Sequence, residues 1–195
     1  GIEAPLVGVE THLANGLPAF TIVGLPEKAV QESRERVRSA LLNSGFEFPA
    51  RRITVNLAPA DLPKQGSRFD LAIAVGILVA SGQLPAAAAD GYELVGELSL
   101  AGAVRPVTAI LPMALAARDR GSRLVLARDN LEEASLVQDL SLYPVDHLLT
   151  VSAHLGGTQP LRPESGGDAS GDPPDLPDLR DVYGQAMARR ALEVV

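Results

Sequence analysis

The chain has 195 residues, a net charge of −7 and an apolar content of 46%. This length suits one domain, or one domain with a piece of another, and the apolar content is too high for a disordered chain. With no cysteine and no tryptophan, disulfides and thiolate metal sites are excluded and the core must be aliphatic. The longest apolar run is about half of a membrane span and no secretory signal opens the chain, so we expect a soluble, cytoplasmic protein.

Two β-like runs begin the chain, at residues 2–13 and 17–24. Asn15-Gly16 lies between them, and both of these residues tolerate positive φ. The sequence therefore predicts a hairpin in which the two runs pair.

A helix is predicted next, over residues 27–42, because apolar residues share one of its faces and Asn43-Ser44-Gly45 ends it. The i,i+4 spacing of Glu32 and Arg36 predicts an ion pair on the opposite, charged face. The remaining predicted elements are strands at 51–57, 94–100, 104–107, 123–127 and 143–145 and helices at 69–81, 110–120, 131–137 and 147–155. The strands at 94–100 and 104–107 flank Ala101-Gly102, a second predicted hairpin. This alternation predicts an α/β fold, an α+β sandwich with at least one crossover.

Composition changes sharply after the last of these helices. Residues 156–177 consist of Gly, Pro, Ser and Asp with almost no apolar residues, which predicts a disordered acidic linker. Residues 164–195 carry seven acids against three arginines. We therefore divide the chain into a domain at 1–155, the linker, and a new helix from residue 178 that begins a truncated further domain.

The loop Lys64–Asp70 (KQGSRFD) allows three interpretations. A phosphate-binding loop requires G-x-x-x-x-G-K-[ST], and the chain has no Gly-Lys pair. Ser67 could act as a nucleophile only beside an activating base such as a neutral lysine, and we expect Lys64 to be solvated and charged. The better-supported alternative is that Ser67 or its neighbour caps the helix beginning near Phe69, with Asp70 in the first turn.

A concentration of basic residues is the other candidate site. Its members are Arg34, Arg38, Arg51, Arg52, Lys64 and Arg68. They could contact a nucleic-acid backbone or a neighbouring subunit. Nearby acids dilute the charge, so a solvated helix face is the favoured alternative. The three histidines have no metal-binding spacing, and we predict no metal.

Three segments resemble known families. Residues 16–78 (GLPAFTIVGLPEKAVQESRERVRSALLNSGFEFPARRITVNLAPADLPKQGSRFDLAIAVGIL) resemble the N-terminal domain of the magnesium-chelatase-like AAA+ ATPases of the YifB/ComM type. Residues 96–130 (GELSLAGAVRPVTAILPMALAARDRGSRLVLARDN) are similar to that family and to the proteolytic domain of Lon, and residues 176–194 resemble the first helix of the family's AAA+ module. The resemblance implies the Lon-protease-like fold, shared with a ribosomal-protein domain (ribosomal-protein domain-2-like).

The same resemblance implies that this domain is not catalytic. The corresponding loop of Lon reads K-D-G-P-S-A-G, with serine as the nucleophile. When Lys64 and Gly66 are aligned with it, Arg68 occupies the nucleophile position. The segment that holds the catalytic lysine of Lon corresponds to residues 108–113, which contain no lysine. A serine peptidase that uses Ser67 is therefore the disfavoured alternative.

For ComM-type proteins the resemblance implies a ring-forming, ATP-dependent DNA branch-migration helicase of natural transformation and recombination. ATP and magnesium would bind in the AAA+ domain, so no cofactor is expected in this fragment. The expected partners are copies of the protein itself and DNA, without a membrane. A purely structural oligomerisation domain with no DNA contact is a further alternative.

Overall fold

The computed structural model describes residues 4–165, and this part of the chain has a mixed α/β fold. Its strands are β1 (Gly8–Ala14), β2 (Ala19–Val23), β3 (Arg52–Ala58), β4 (Tyr92–Val95), β5 (Glu97–Leu98), β6 (Val104–Arg105), β7 (Arg123–Ala127), β8 (Ser141–Val145) and β9 (Glu164–Ser165). Its α-helices are α1 (Lys28–Gln31), α2 (Ser33–Asn43), α3 (Asp70–Ala80), α4 (Ile110–Asp119), α5 (Leu131–Ala134) and α6 (Leu148–Leu155).

The described strands form three small sheets. The first has the order β1-β3-β2, with β1 antiparallel and β2 parallel to β3. The second has the order β4-β7-β8-β9, in which only β9 runs antiparallel to its neighbour. The third is the antiparallel β5-β6 hairpin, which confirms the predicted turn at Ala101-Gly102. A methyl group at Gly102 would lie 2.3 Å from the Ser44 hydroxyl oxygen, so this turn requires glycine.

The predicted pairing of the first two strands is wrong. The chain reverses near Asn15-Gly16, but β3 lies between β1 and β2, so Leu13 and Phe20 both face Ile53 across the sheet. Alternate side chains of β3 are completely buried, and a central position gives them neighbours on both sides. Pairing with a strand that is distant in sequence therefore replaces the pairing favoured by the turn.

The helix α3 lies against both larger sheets and organises the core. It is apolar almost all round, as the sequence predicts, and most of its side chains are completely buried. Gly76 lets the helix approach β1 closely, because a methyl group there would lie 2.6 Å from the Thr11 hydroxyl oxygen. The helix predicted at residues 27–42 is present in two parts, α1 and α2, which are interrupted at Glu32.

The folded domain extends beyond the predicted boundary at residue 155. The β9 strand pairs with β8, and the Leu161 backbone N–H donates to Nδ1 of His154 at 3.0 Å. The first ten residues of the predicted linker are therefore ordered by specific contacts. The rest of that linker and the helix predicted from residue 178 lie outside the described residues. Within residues 4–165, no helix has both the length and the apolar character that a membrane span requires.

Candidate functional site

Lys64 is buried rather than solvated, with only 1% of its surface exposed. Its backbone bonds to the segment before α1, through Lys64 N to Leu25 O at 3.3 Å and Glu27 N to Lys64 O at 3.1 Å. This bridge holds the residue in the interior, where its ammonium group donates to the Pro59 carbonyl. The prediction that Lys64 is a surface cation able to contact DNA or another subunit is therefore wrong.

Ser67 does not cap α3. The residue at the cap position is Phe69, and no side chain bonds the end of the helix. The Ser67 hydroxyl instead donates to the carboxylate of Glu97. Lys64 bonds the Pro59 carbonyl, and no hydrogen bond within residues 4–165 joins it to Ser67, so Ser67 has no lysine positioned to activate it there.

Asp70 is the centre of a buried polar network that sequence reasoning missed. Its carboxylate is completely buried and accepts from Arg36 Nε at 2.6 Å, from the Leu98 N–H at 3.2 Å and from the Ser33 hydroxyl. Arg36 therefore pairs with Asp70, 34 residues away, instead of with Glu32 as predicted. One signal was available, since Asp70 is the only charged residue in a helix that is otherwise entirely apolar.

This network ties α2 to the start of α3 and to β5. Burial raises the pKa of the Asp70 carboxyl above its ordinary value of 3.8, and the bonds from Arg36 and Ser33 oppose that shift. The bond to Asp70 raises the pKa of the Arg36 guanidinium, which stays charged. The buried carboxylate therefore depends on Arg36 for its compensating charge.

Arg34, Arg38 and Arg51 meet at a cavity of about 380 Å³, and we call these three residues the arginine cluster. The guanidinium of Arg38 lies over the ring of Phe48, 4.8 Å from its centroid, and the ring of Phe20 is 5.8 Å from that of Phe48. Arg34 Nη1 contacts the Phe20 carbonyl at 3.4 Å, and Arg51 Nη2 contacts Asn15 Oδ1 at 3.0 Å. Exposed cations and half-buried aromatic rings thus share one concave surface.

Among the described residues, the arginine cluster has no carboxylate partner, whereas five other arginines do. The arginines that form ion pairs are Arg36, Arg105, Arg118, Arg120 and Arg128. Between residues 4 and 165, no acid lies within ion-pairing distance of the cluster, although Glu35 lines the same cavity. Arg52 is exposed next to Arg51 but lies on the open face of β3, outside the cavity. The sequence-predicted patch is thus smaller than expected.

Arg68 lies apart from the cluster, in a groove of about 750 Å³ lined by α3, β1, β4 and the start of α4. We call it the β1–β4 groove. Arg68 Nη1 is 3.9 Å from the sulfur of Met113. The fold thus brings together the two segments that the resemblance aligned with the serine and lysine of Lon, and they carry arginine and methionine here.

The two histidines of the C-terminal half make local bonds. His147 Nδ1 accepts from the Leu149 N–H at 3.1 Å and caps α6. His154 stacks on Tyr143, and burial, with a smaller effect of Arg123, lowers its pKa. Across the described residues, no group of three His, Asp or Glu side chains could hold a metal ion.

Comparison with known proteins defines the family in two steps. The family model for subunit ChlI of Mg-chelatase matches residues 9–130. A protein named "Uncharacterized protein YifB" from Salmonella typhimurium is 50% identical over 195 residues, and "Competence protein ComM" from Haemophilus influenzae is 50% identical over 200 residues. Both matches cover the whole chain, so the chain belongs to the YifB/ComM family, as the sequence resemblance predicted.

The chain covers only part of these relatives. It spans 38% of the length of the YifB protein and 39% of that of ComM, and corresponds to their N-terminal region. A more distant relative, a Lon protease from Chloroflexus aurantiacus, is 29% identical over 161 residues, which is 75% of this chain and 19% of that protein.

Proposed function

We propose that this chain is the non-catalytic N-terminal domain of a ring-forming AAA+ ATPase that migrates DNA branches in natural transformation and recombination. The 50% identity to a protein named for competence supports this assignment. We further infer that the domain has the Lon-protease-like fold, which the distant similarity to a Lon protease supports. ATP and magnesium would bind in the AAA+ region, and this domain would bring copies of the protein and the DNA together.

The observation that carries a DNA contact is the arginine cluster. Cations without carboxylate partners are free to neutralise phosphates, and each phosphate so neutralised releases counterions and makes binding depend on salt. Phe20 and Phe48 beside them offer aromatic surface on which unpaired bases can stack. This combination of cations and aromatic rings favours single-stranded or branched DNA over an intact duplex.

Neither position of a Lon-type dyad carries the required residue, which supports a domain without peptidase activity. In the alignment with Lon, Arg68 takes the position of the serine and residues 108–113 hold no lysine, and the Ser67 hydroxyl bonds a carboxylate. Treatment with a fluorophosphonate should leave Ser67 unlabelled. Labelling that is lost in Ser67→Ala would revive the peptidase alternative.

The DNA contact can be tested by removing the three free charges. We expect the full-length Arg34→Ala/Arg38→Ala/Arg51→Ala variant to bind a fluorescein-labelled four-way junction more weakly than the wild type. The plot of log K against log salt should lose about 2–3 units of slope, since each phosphate contact contributes about 0.9. Anisotropy titrations at several salt concentrations give both quantities.

The matched control removes the same charge from paired, exposed arginines: Arg105→Ala/Arg118→Ala/Arg128→Ala. We expect it to retain most of the wild-type salt slope. If both triple variants change binding equally, the effect is one of net charge. If neither changes it while the protein still forms a ring by sedimentation, the domain is a structural oligomerisation element without DNA contact.

A further inference from the structure

We propose that the β1–β4 groove binds an extended, acidic polypeptide segment of a partner protein as an added β-strand. The groove is lined by one strand from each of the two larger sheets, and each of these strands has an unpaired edge within residues 4–165. β1 pairs only with β3, and β4 pairs only with β7. Both edge strands line the same cavity.

The unpaired edges of β1 and β4 favour an occupant whose backbone is extended. An edge strand presents a row of backbone N–H and C=O groups that another extended chain can satisfy. A strand placed in the groove could bond to β1, to β4 or to both, and would extend the sheet system of the domain. A compact ligand would leave these groups without partners.

The floor of the groove determines which side chains the occupant can place against the domain. It is formed by α3, where the small side chain of Ala72 leaves space and the partly buried Val79 adds apolar surface. Gly76, one turn after Ala72, lies against the Thr11 side chain of β1. The buried Thr11 hydroxyl of β1, which faces α3, has no hydrogen-bond partner among residues 4–165. An occupant should therefore present small or β-branched side chains to α3 on alternate residues and polar side chains to solvent.

The charges of the groove favour an acidic occupant. Two cations line it, and Arg120 is neutralised by Glu93 through two bonds of 2.8 Å. The only polar contact of the Arg68 guanidinium in the described part of the chain is the sulfur of Met113 at 3.9 Å, a weak acceptor. Arg68 therefore has donors available for a carboxylate. A single free cation on an apolar surface suits a peptide better than a nucleic acid, which requires several.

The test uses the whole 195-residue chain and short fluorescein-labelled peptides. Two probe peptides have seven residues that alternate threonine and valine. One carries aspartate at its N-terminal end, and the other carries it at its C-terminal end. We expect at least one of them to bind saturably in an anisotropy titration. The matching asparagine peptide should bind about tenfold more weakly, because a charge-assisted bond to Arg68 is lost. A peptide with methyl groups on alternate backbone nitrogens should not bind.

Two variants in the groove and one control variant outside it locate the binding. Arg68→Gln should bind the aspartate and asparagine peptides equally, and Arg52→Gln, the same change outside the groove, should keep the tenfold preference. Ala72→Leu fills the floor and should abolish binding. If Ala72→Leu does not fold, as judged by circular dichroism, Arg68→Gln and the methylated peptide still decide the result.

Three results would overturn the proposal. The first is that neither aspartate peptide binds, and the second is that the methylated peptide binds as well as its parent. The third is a dimer of the chain that Ala72→Leu disrupts, which would assign the groove to a second copy. The DNA titration of the arginine cluster is unaffected by each of these results, so the two proposals can fail separately.

Discussion

Three arginines of one helix, spaced two residues apart, have opposite environments. Arg36 points inward, where its guanidinium lies 2.6 Å from a completely buried carboxylate. Arg34 and Arg38, on either side of it, are exposed, and their polar and aromatic contacts within residues 4–165 are to carbonyls or to an aromatic ring. The helix α2 thus separates a structural arginine on one face from two available arginines on the other.

The difference shows that charge alone does not define a binding surface. A cation that compensates a buried carboxylate is needed for folding and is unavailable to a ligand. A cation held by a carbonyl can exchange that contact for a phosphate at little cost. Ion-pair status in the fold, rather than position in the sequence, therefore separates the structural arginine from the candidate binding arginines.

The largest expected effect is loss of the inward arginine. Arg36→Ala leaves the Asp70 carboxylate buried without a counter-charge, which should lower the free energy of unfolding by about 3–5 kcal/mol. Urea denaturation of the chain measures this loss. Arg34→Ala, a matched change on the exposed face, should alter stability by no more than about 0.5 kcal/mol. Equal effects of the two variants would remove the distinction between the faces.

A second prediction concerns Phe48, an aromatic residue in the cavity of the arginine cluster, and depends on the proposed DNA contact. Phe48→Ala should weaken binding of single-stranded oligothymidine by about 1–3 kcal/mol, because a stacking surface is lost. Duplex DNA should be affected less, since its bases are already stacked. Leu17→Ala, which truncates an apolar side chain that is 83% exposed, is the control and should bind normally. An equal loss for single strand and duplex would contradict stacking.

The pH dependence of stability tests the structural role of Arg36, the inward-facing arginine. Burial already holds the pKa of Asp70 above 3.8, so the folded wild type loses stability as rising pH ionises this carboxyl. Arg36→Ala should raise the pKa of Asp70 further. Each additional pKa unit lowers the free energy of unfolding at neutral pH by about 1.4 kcal/mol. The stability gap between variant and wild type should therefore be smaller near about pH 4 than near about pH 8. In an Asp70→Asn background the gap should be independent of pH.

Apart from the control variants, the smallest expected effect on stability belongs to Arg38 in the absence of DNA. Its contact with the exposed side of Phe48 should contribute about 0.5–1 kcal/mol to stability. Arg38→Met retains most of the aliphatic packing and removes only the charge, so its urea midpoint reports the cation–π contribution. A loss as large as that of Arg36→Ala would mean that Arg38 also has a structural role.

Local features of the fold were predictable from the sequence. The helix α3, the strand β7 and the β5-β6 hairpin follow from apolar runs and turn residues that lie close together in the chain. The family was predictable for a similar reason, because the motifs of residues 16–78 are continuous in sequence.

Features that depend on distant residues were not predictable in this way. The first hairpin failed because β3, some 30 residues later, inserts between its strands. The Arg36–Asp70 pair spans 34 residues, and the preference for an i,i+4 partner pointed to Glu32 instead. Burial of Lys64 follows from a backbone bridge to Pro26 that has no sequence signature. In the candidate site, the basic residues could be listed from the sequence, but their grouping into a cluster required the fold.

The close approach of α3 to β1 has a consequence for variation at two positions. A methyl group at Gly76 would clash with one atom, the Thr11 hydroxyl oxygen, which would lie 2.6 Å away from it. The next atom, Thr11 Cβ, is at 3.6 Å, an ordinary contact that alanine would keep. The two positions should therefore change together: Thr11→Ala removes a buried hydroxyl that has no hydrogen-bond partner in the described part of the chain, and Gly76→Ala then gains helix propensity of about 1 kcal/mol. Gly76→Ala alone should be destabilising, and the pair should melt higher than the wild type.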